Sequence, residues 1–192
     1  NAKIETLAKF YKIPPIVIKA IAWKESAWKQ FNPDTPQGSF DKERDRQACK
    51  ANSAVALRRE PDGRCGYGIM QITLEPDDFR VNKLQTDWEY NLEVGVQHLL
   101  QKWEDSVKGV EKLKGFTQHD KDKAILENWF YAIAWYNGVG EWAYNYVEGV
   151  YQIIKGQAID TASCEKPFQT IPCYFIGQTE SKVTFPPHIK SS

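Results

Sequence analysis

The segment from Pro15 to about Lys29 constrains the fold most. Ile16, Val17, Ile18, Ala20, Ile21, Ala22, Trp23, Ala27 and Trp28 put apolar side chains on nearly every side of a helix, which must therefore be central and buried. Proline suits the first helical turn, where its missing N–H would be unpaired anyway, so the helix is expected to start near Pro15. Within it stands Glu25, whose neighbours at i−7, i−4, i−3 and i+3 are Ile18, Ile21, Ala22 and Trp28. Burial disfavours the charged form of a carboxyl group. A glutamate so placed can stay protonated near neutral pH and act as a general acid. The alternative is a solvated glutamate paired with Lys29 at i+4.

Other elements follow from periodicity and turn signals. Ile4, Leu7, Ala8 and Tyr11 share one face of a short first helix over residues 2 to 11, stopped by Ile13-Pro14-Pro15. From Phe31 to about Cys65 the apolar period lapses, and Asn32-Pro33, Thr35-Pro36, Gly38 and Pro61-Asp62-Gly63 mark turns around one short helix near residues 43 to 57. Leu92, Val96, Leu99 and Trp103 predict a helix capped by Asp87. A further helix is expected from Ala124 to Tyr136 after Asp120 or Asp122, and another over roughly Glu141 to Lys155. After Asp160 the prolines 167, 172, 186 and 187 and the β-leaning runs at 173–176 and 182–185 predict a hairpin or an extended arm. The expected organisation is one mainly α domain over residues 1–159 and a tail over 160–192 that packs on it or wraps it.

Composition narrows the partners. Lysine plus arginine and aspartate plus glutamate balance at 25 each, so no global field draws the chain to a polyanion or a charged membrane surface. No recognised nucleic-acid motif is present, and no stretch approaches the roughly 20 apolar residues of a membrane span. Seven Trp, nine Tyr and nine Phe offer flat faces with a polar edge that suit sugar rings, although most such rings serve a core. The residues after Asn1 lack the charged-then-apolar pattern of a signal peptide, so the chain reads as a processed or trimmed product. His98, His119 and His188 are scattered without metal-site spacing, and neither a metal nor a cofactor is expected.

Four cysteines fall as near pairs, Cys49 with Cys65 and Cys164 with Cys173. The pattern fits two local disulfides, one of three possible connectivities, with free thiols as the alternative. A Cys49 to Cys65 bond would close a loop of about 15 residues and contribute on the order of 3 kcal/mol. Disulfides imply an oxidising compartment, secreted or periplasmic.

Two further segments carry chemical groups. In Gly66-Tyr67-Gly68-Ile69-Met70-Gln71-Ile72 the glycines let backbone approach a ligand, and Gln71 adds an amide that donates and accepts. Alone, the segment reads equally as a turn whose Ile69 and Met70 are core. In Ala132-Ile133-Ala134-Trp135-Tyr136-Asn137-Gly138 an apolar helix ends in a Tyr-Asn pair before a glycine suited to the C′ position. Tyr136 can hold a carboxyl group by hydrogen bond, or serve the core.

Taken together and in this order, these segments resemble the lytic transglycosylases of the soluble-transglycosylase type and, more distantly, the goose-type lysozymes. Glu25-Ser26 with Phe31-Asn32-Pro33 is similar to the family's Glu-Ser motif and following Asn-Pro. Gly66 to Ile72 is similar to its Gly-Leu-Met-Gln-Ile motif, Asn91, Gly95 and Leu99 to its Asn-x-x-x-Gly-x-x-x-Leu helix, and Ala134 to Asn137 to its Ala-Ala-Tyr-Asn. The resemblance covers about residues 14 to 140. It departs in the long separation of Glu25 from Gly66 and in Trp135, which stands at a usually small position; the tail has no counterpart.

The resemblance implies a lysozyme-like α fold with a long disulfide-pinned loop, acting as a monomer on the glycan strands of peptidoglycan. It implies that Glu25 protonates the bond between N-acetylmuramic acid and N-acetylglucosamine, then takes the proton of the C6 hydroxyl as that oxygen attacks C1, leaving a 1,6-anhydro end. Intramolecular attack dispenses with a second carboxylate, an exception to the usual glycosidase pair. Tyr136 would orient Glu25, and Ser26 would support it. Gln71, Met70, Asn137 and the backbone at Tyr67-Gly68 would hold the sugar. The rivals are a hydrolytic muramidase, with a second carboxylate among Asp34, Asp41, Asp45, Asp62, Asp77 and Asp78, a non-catalytic glycan-binding module, and, more weakly, an enzyme on chitin-type glycan.

Overall fold

The computed structural model describes residues 2–31, 42–52, 55–110, 122–138 and 141–156. The tail over 160–192 with Cys164 and Cys173, the Asn32-Pro33 turn, Asp34, Asp41, His119 and His188 lie outside the described residues.

Helix α1, Ala2–Tyr11, buries Ile4, Leu7 and Ala8, the face its periodicity predicts. Helix α2, Pro15–Ser26, begins with Pro15 in its first turn and buries Val17, Ile18, Ala20, Ile21 and Ala22. It ends three residues earlier than expected, because Ala27 (φ 51°) and Trp28 (φ 64°) are both left-handed. The N–H groups of Ala27 and Trp28 return to the carbonyls of Trp23 and Ala22, at 2.8 and 3.3 Å. That reversal breaks the i to i+4 spacing that would have set Lys29 beside Glu25.

The expected helix near 43 to 57 is shorter: α3 is Lys42–Ala48. Cys49 is bonded to Cys65, with their Cα atoms 5.9 Å apart. The chain then extends into a three-stranded antiparallel meander of β1 (Leu57–Arg59), β2 (Cys65–Tyr67) and β3 (Ile72–Leu74). Arg58 stands opposite Gly66, and Gly66 opposite Thr73. Periodicity does not reveal strands of three residues, because no full alternation fits within them.

Helix α4 (Val81–Thr86) leads into α5 (Trp88–Val110). Asp87 caps α5 by accepting the Tyr90 N–H at 3.0 Å. Leu92, Val96, Leu99 and Trp103 are buried on its inner face. A 3-10 turn, Leu126–Trp129, then precedes α6 (Phe130–Tyr136), where a single helix from Ala124 was expected. Before it, Asp122 accepts the Ala124 N–H at 2.9 Å and so stops a regular turn from starting earlier. Helix α7 is Glu141–Ile154.

The described residues are thus mainly helical with one small sheet. Helix α2 packs on α1 and α7, and α6 packs on α5 and α7. The core joins Ile18, Ile21, Leu99, Trp103, Trp129, Ile133, Val150 and Tyr151, all buried. Among the described residues no helix is long and apolar enough to cross a membrane.

Candidate active site

The last turn of α2 delivers Glu25 to the floor of an open cleft of about 1370 Å³, whose walls are the sheet on one side and α5 and α6 on the other. Its carboxyl group accepts a hydrogen bond from the Tyr146 hydroxyl of α7. Burial raises the carboxyl's proton affinity above its ordinary value. The Tyr146 hydrogen bond, Arg58 and Lys24 oppose that shift, and Glu60 adds to it. Tyr146 is itself held neutral, by burial and then by the negative field of Glu25, so it remains a donor.

Beside Glu25, four side chains from three directions converge on two consecutive peptide groups, Ile69 and Met70. The Ile69 N–H donates to Gln30 Oε1 at 2.9 Å, and its carbonyl accepts from Ser26 Oγ at 2.8 Å. The Met70 N–H donates to Asn91 Oδ1 at 2.9 Å, and its carbonyl accepts from the Tyr136 hydroxyl at 2.9 Å. Buried backbone polar groups need partners, and here side chains supply all four. Asn91, fully buried, also donates to the carbonyls of Tyr67 and Leu84, at 2.7 and 3.1 Å.

The glycines serve the same packing. Gly68 has φ +72°, and a Cβ there would come within 2.4 Å of Gln30 Oε1 and 2.5 Å of Asn91 Nδ2. At Gly95 a Cβ would lie 2.6 Å from Met70 Cβ and Cγ, so only glycine lets α5 close on the turn.

These contacts change several expected roles. Tyr136 does not hold Glu25 by hydrogen bond; it binds the Met70 carbonyl, and Tyr146 holds the carboxylate. Tyr67 is buried with its hydroxyl on the Cys49 carbonyl at 2.6 Å, Met70 is buried, and Gly68 faces Gln30 and Asn91, so none of the three presents itself to a ligand. Ser26 supports the turn. Gln71 lines the cleft, but its Nε2 is used on the Gly68 and Ala56 carbonyls, at 2.8 and 3.2 Å. Its Oε1 is buried and accepts no hydrogen bond among the described residues. Asn137 is exposed on the rim, with Trp135 and Tyr136 beside it. Trp135 packs over Gly109, where a Cβ would lie 2.6 Å from its ring.

The proposed second carboxylates are engaged with cations. Asp45 pairs with Arg59 at 3.2 Å, Asp62 with Arg64 at 2.8 Å and Asp78 with Arg80 at 2.7 Å, while Asp77 pairs with Lys50. Asp45 and Asp62 line the cleft, as does His98, whose ring meets the Tyr136 ring edge-on at 5.1 Å. Among the described residues no cluster of His, Cys, Asp and Glu could hold a metal ion.

Tyr146 and Arg58 are missed from sequence. Tyr146 sits on the apolar stripe of α7 with Ala143, Val147 and Val150, all buried, so its pattern reads as core. Only the packing of α2 on α7 shows that its hydroxyl ends on Glu25. Arg58 lies in a strand too short to detect. Comparison with family models, curated proteins and solved structures finds no match to this chain.

Proposed function

We propose that this chain is a peptidoglycan lytic transglycosylase with a lysozyme-like fold, working outside the reducing cytosol. The observation that carries this reading is Glu25, a carboxyl group held toward its protonated form on the floor of a polymer-sized cleft. Beside it, Ser26, Asn91 and Tyr136, the residues of the motif resemblance, meet on one turn.

In the proposed reaction the Glu25 proton passes to the glycosidic oxygen as the C1–O bond breaks. The C6 hydroxyl oxygen of the same sugar then bonds to C1 and its proton returns to Glu25, so no water is consumed. Tyr146 stabilises the carboxylate between the two transfers by donating to it, and Arg58 favours the same charge state. Hydrolysis would require another carboxylate to activate water, and the described candidates each hold a basic side chain instead.

Mass analysis of purified peptidoglycan after digestion tests the reading. Anhydro ends, lighter by one water than hydrolysed ends and absent with Glu25→Gln, are expected. Hydrolysed ends would make the protein a muramidase, and undiminished cleavage by Glu25→Gln would remove Glu25 from the mechanism.

A further inference from the structure

Trp135 and Tyr136 are consecutive at the end of α6, yet they reach α5 at distant points. The Tyr136 hydroxyl ends on the Met70 carbonyl, and Met70 packs against Gly95. Trp135 meets α5 at Gly109. The two glycines stand fourteen residues apart on that helix, about 21 Å at 1.5 Å per residue. Ser26, next to Glu25, bonds the Ile69 carbonyl of the same turn, so Glu25 lies near the Gly95 level and Trp135 lies toward the far end of α5. Val94, His98 and Lys102, each one turn of α5 beyond the last, line the cleft that Glu25 and Trp135 share.

The way the indole ring is held is informative. A Cβ on Gly109 would lie 2.6 Å from the ring atom Cη2, 3.4 Å from Cζ3 and 3.6 Å from Cζ2. One near atom, with its two bonded neighbours farther and nearly equal, marks an approach along the plane of the ring; a face-on approach would bring all three to similar distances. The outer edge of the indole is therefore wedged into a notch that only glycine leaves open, and Gly109 covers neither face. Tyr131 is tilted against the ring at 57°, with centroids 6.3 Å apart. The Trp135 side chain is partly buried and borders the cleft, and its indole N–H donates to no group among the described residues. A tryptophan that serves a core usually pairs that N–H. This one is fixed by its edge, with a polar group to spare.

We propose that Trp135 is a sugar platform toward the far end of the cleft, several units along the strand from the bond at Glu25. Its ring stacks on the apolar face of a pyranose, and its N–H donates to a hydroxyl or acetamido oxygen of that sugar, so that the protein favours long glycan segments over short ones. The proposal rests on the glycan-cleaving reading of the cleft and adds chain length as a selected property. Because the motif resemblance implies a small residue at this position, the platform distinguishes this chain from that pattern.

The test is calorimetric binding of peptide-free glycan strands, from disaccharide to octasaccharide, to the Glu25→Gln protein, in which recognition is separated from turnover. Affinity is expected to rise about tenfold at the length where a strand first reaches Trp135. Trp135→Leu in the same background fills the notch with an apolar group but offers neither flat face nor N–H, and should lose that rise. Where leucine does not fold, Trp135→Phe carries the test: it should keep part of the rise and lose the shift in tryptophan fluorescence that long strands cause and short ones do not. A tryptophan that only packs would, when replaced, change the binding of every length alike. That outcome overturns the proposal, as does a rise that survives in Trp135→Leu or is missing from the parent, and each leaves the glycan-cleft reading standing. Failure of the parent to bind any length overturns that reading itself.

Discussion

Replacing Glu25 by Gln should stabilise the protein, and by an amount that depends on pH in a fixed direction. Burial raises the proton affinity of Glu25 against the combined pull of Tyr146, Arg58 and Lys24. The native state therefore holds this proton more tightly than the unfolded chain does. Between the ordinary carboxyl value near 4.5 and the raised native value, the folded protein binds more protons, so its stability falls as pH rises through that window. Below the window nothing is lost; above it the deficit is constant. Its full size is about 1.4 kcal/mol for each unit separating the two values. Glutamine keeps the shape of the side chain and an oxygen to accept from Tyr146, but it does not titrate. The advantage of Glu25→Gln over the wild type should therefore be smallest near pH 4, grow with a slope no steeper than about 1.4 kcal/mol per pH unit, and then level off. Urea denaturation followed by circular dichroism from pH 4 to 8, with equal denaturant slopes for both proteins, measures this. A difference that does not vary with pH refutes the argument. A difference that shrinks with rising pH would mean that Arg58 and Tyr146 outweigh burial and that Glu25 is no acid at neutral pH.

Tyr146→Phe removes a donor that favours the Glu25 anion, so the alkaline limb of the pH profile of kcat/KM, where the acid is lost, should move to higher pH; a limb that stays in place would detach Tyr146 from the carboxylate. Asn91→Ala strips the Met70 N–H of its acceptor and the Tyr67 and Leu84 carbonyls of a donor, and should cost about 2–4 kcal/mol in denaturant titration, with water entering the space at the lower end. Gly95→Ala forces a methyl group against Met70 and should cost about 1–3 kcal/mol by overpacking. Combined with Met70→Ala, which removes the Cγ and Cε contacts and keeps the Cβ contact, the two costs should add to less than their sum, and a double variant as costly as the sum would mean that the Met70 Cβ carries the strain.

Long-period features were legible in the sequence because they repeat. The all-round apolar pattern predicts α2 and its burial, and Leu92, Val96, Leu99 and Trp103 predict the inner face of α5. The Cys49 to Cys65 pairing was legible from spacing as one of several connectivities. What escaped was shorter than its own period or decided by tertiary contact. Three-residue strands give no alternation to detect, and the end of α2 was misplaced because left-handed Ala27 and Trp28 carry no glycine to announce the turn. Tyr136 was expected to hold Glu25, and Tyr146, which does, was missed for a related reason. Tyr136 ends the apolar stripe of α6 and Tyr146 stands within that of α7, and the field of Glu25 reaches both. Which hydroxyl meets the carboxylate depends on the angle at which α7 crosses α2, and that angle is not written in either helix.

The motif residues divide from the chemical ones in a way that bears on function. Ser26, Asn91 and Tyr136 each spend a polar group on the Ile69 and Met70 peptides. Gly68 and Gly95 give the space those contacts need. Such a set specifies a scaffold: a turn whose every backbone polar group is satisfied by side chains costs heavily if any one partner is lost. Its presence therefore argues that Glu25 is held in place. Near the carboxyl group itself stand Tyr146, Arg58 and Glu60. A glutamate whose proton affinity is raised by burial, with a phenol donating to it and a guanidinium nearby, is suited to give up a proton and to carry the resulting charge. Glu60 has a carboxylate oxygen committed to Arg58 at 2.8 Å. Removing Arg58 frees it, so under the proposed reaction Arg58→Gln is expected to give hydrolysed ends mixed with anhydro ends in mass analysis of the digest, and anhydro ends alone would exclude Glu60 as a base.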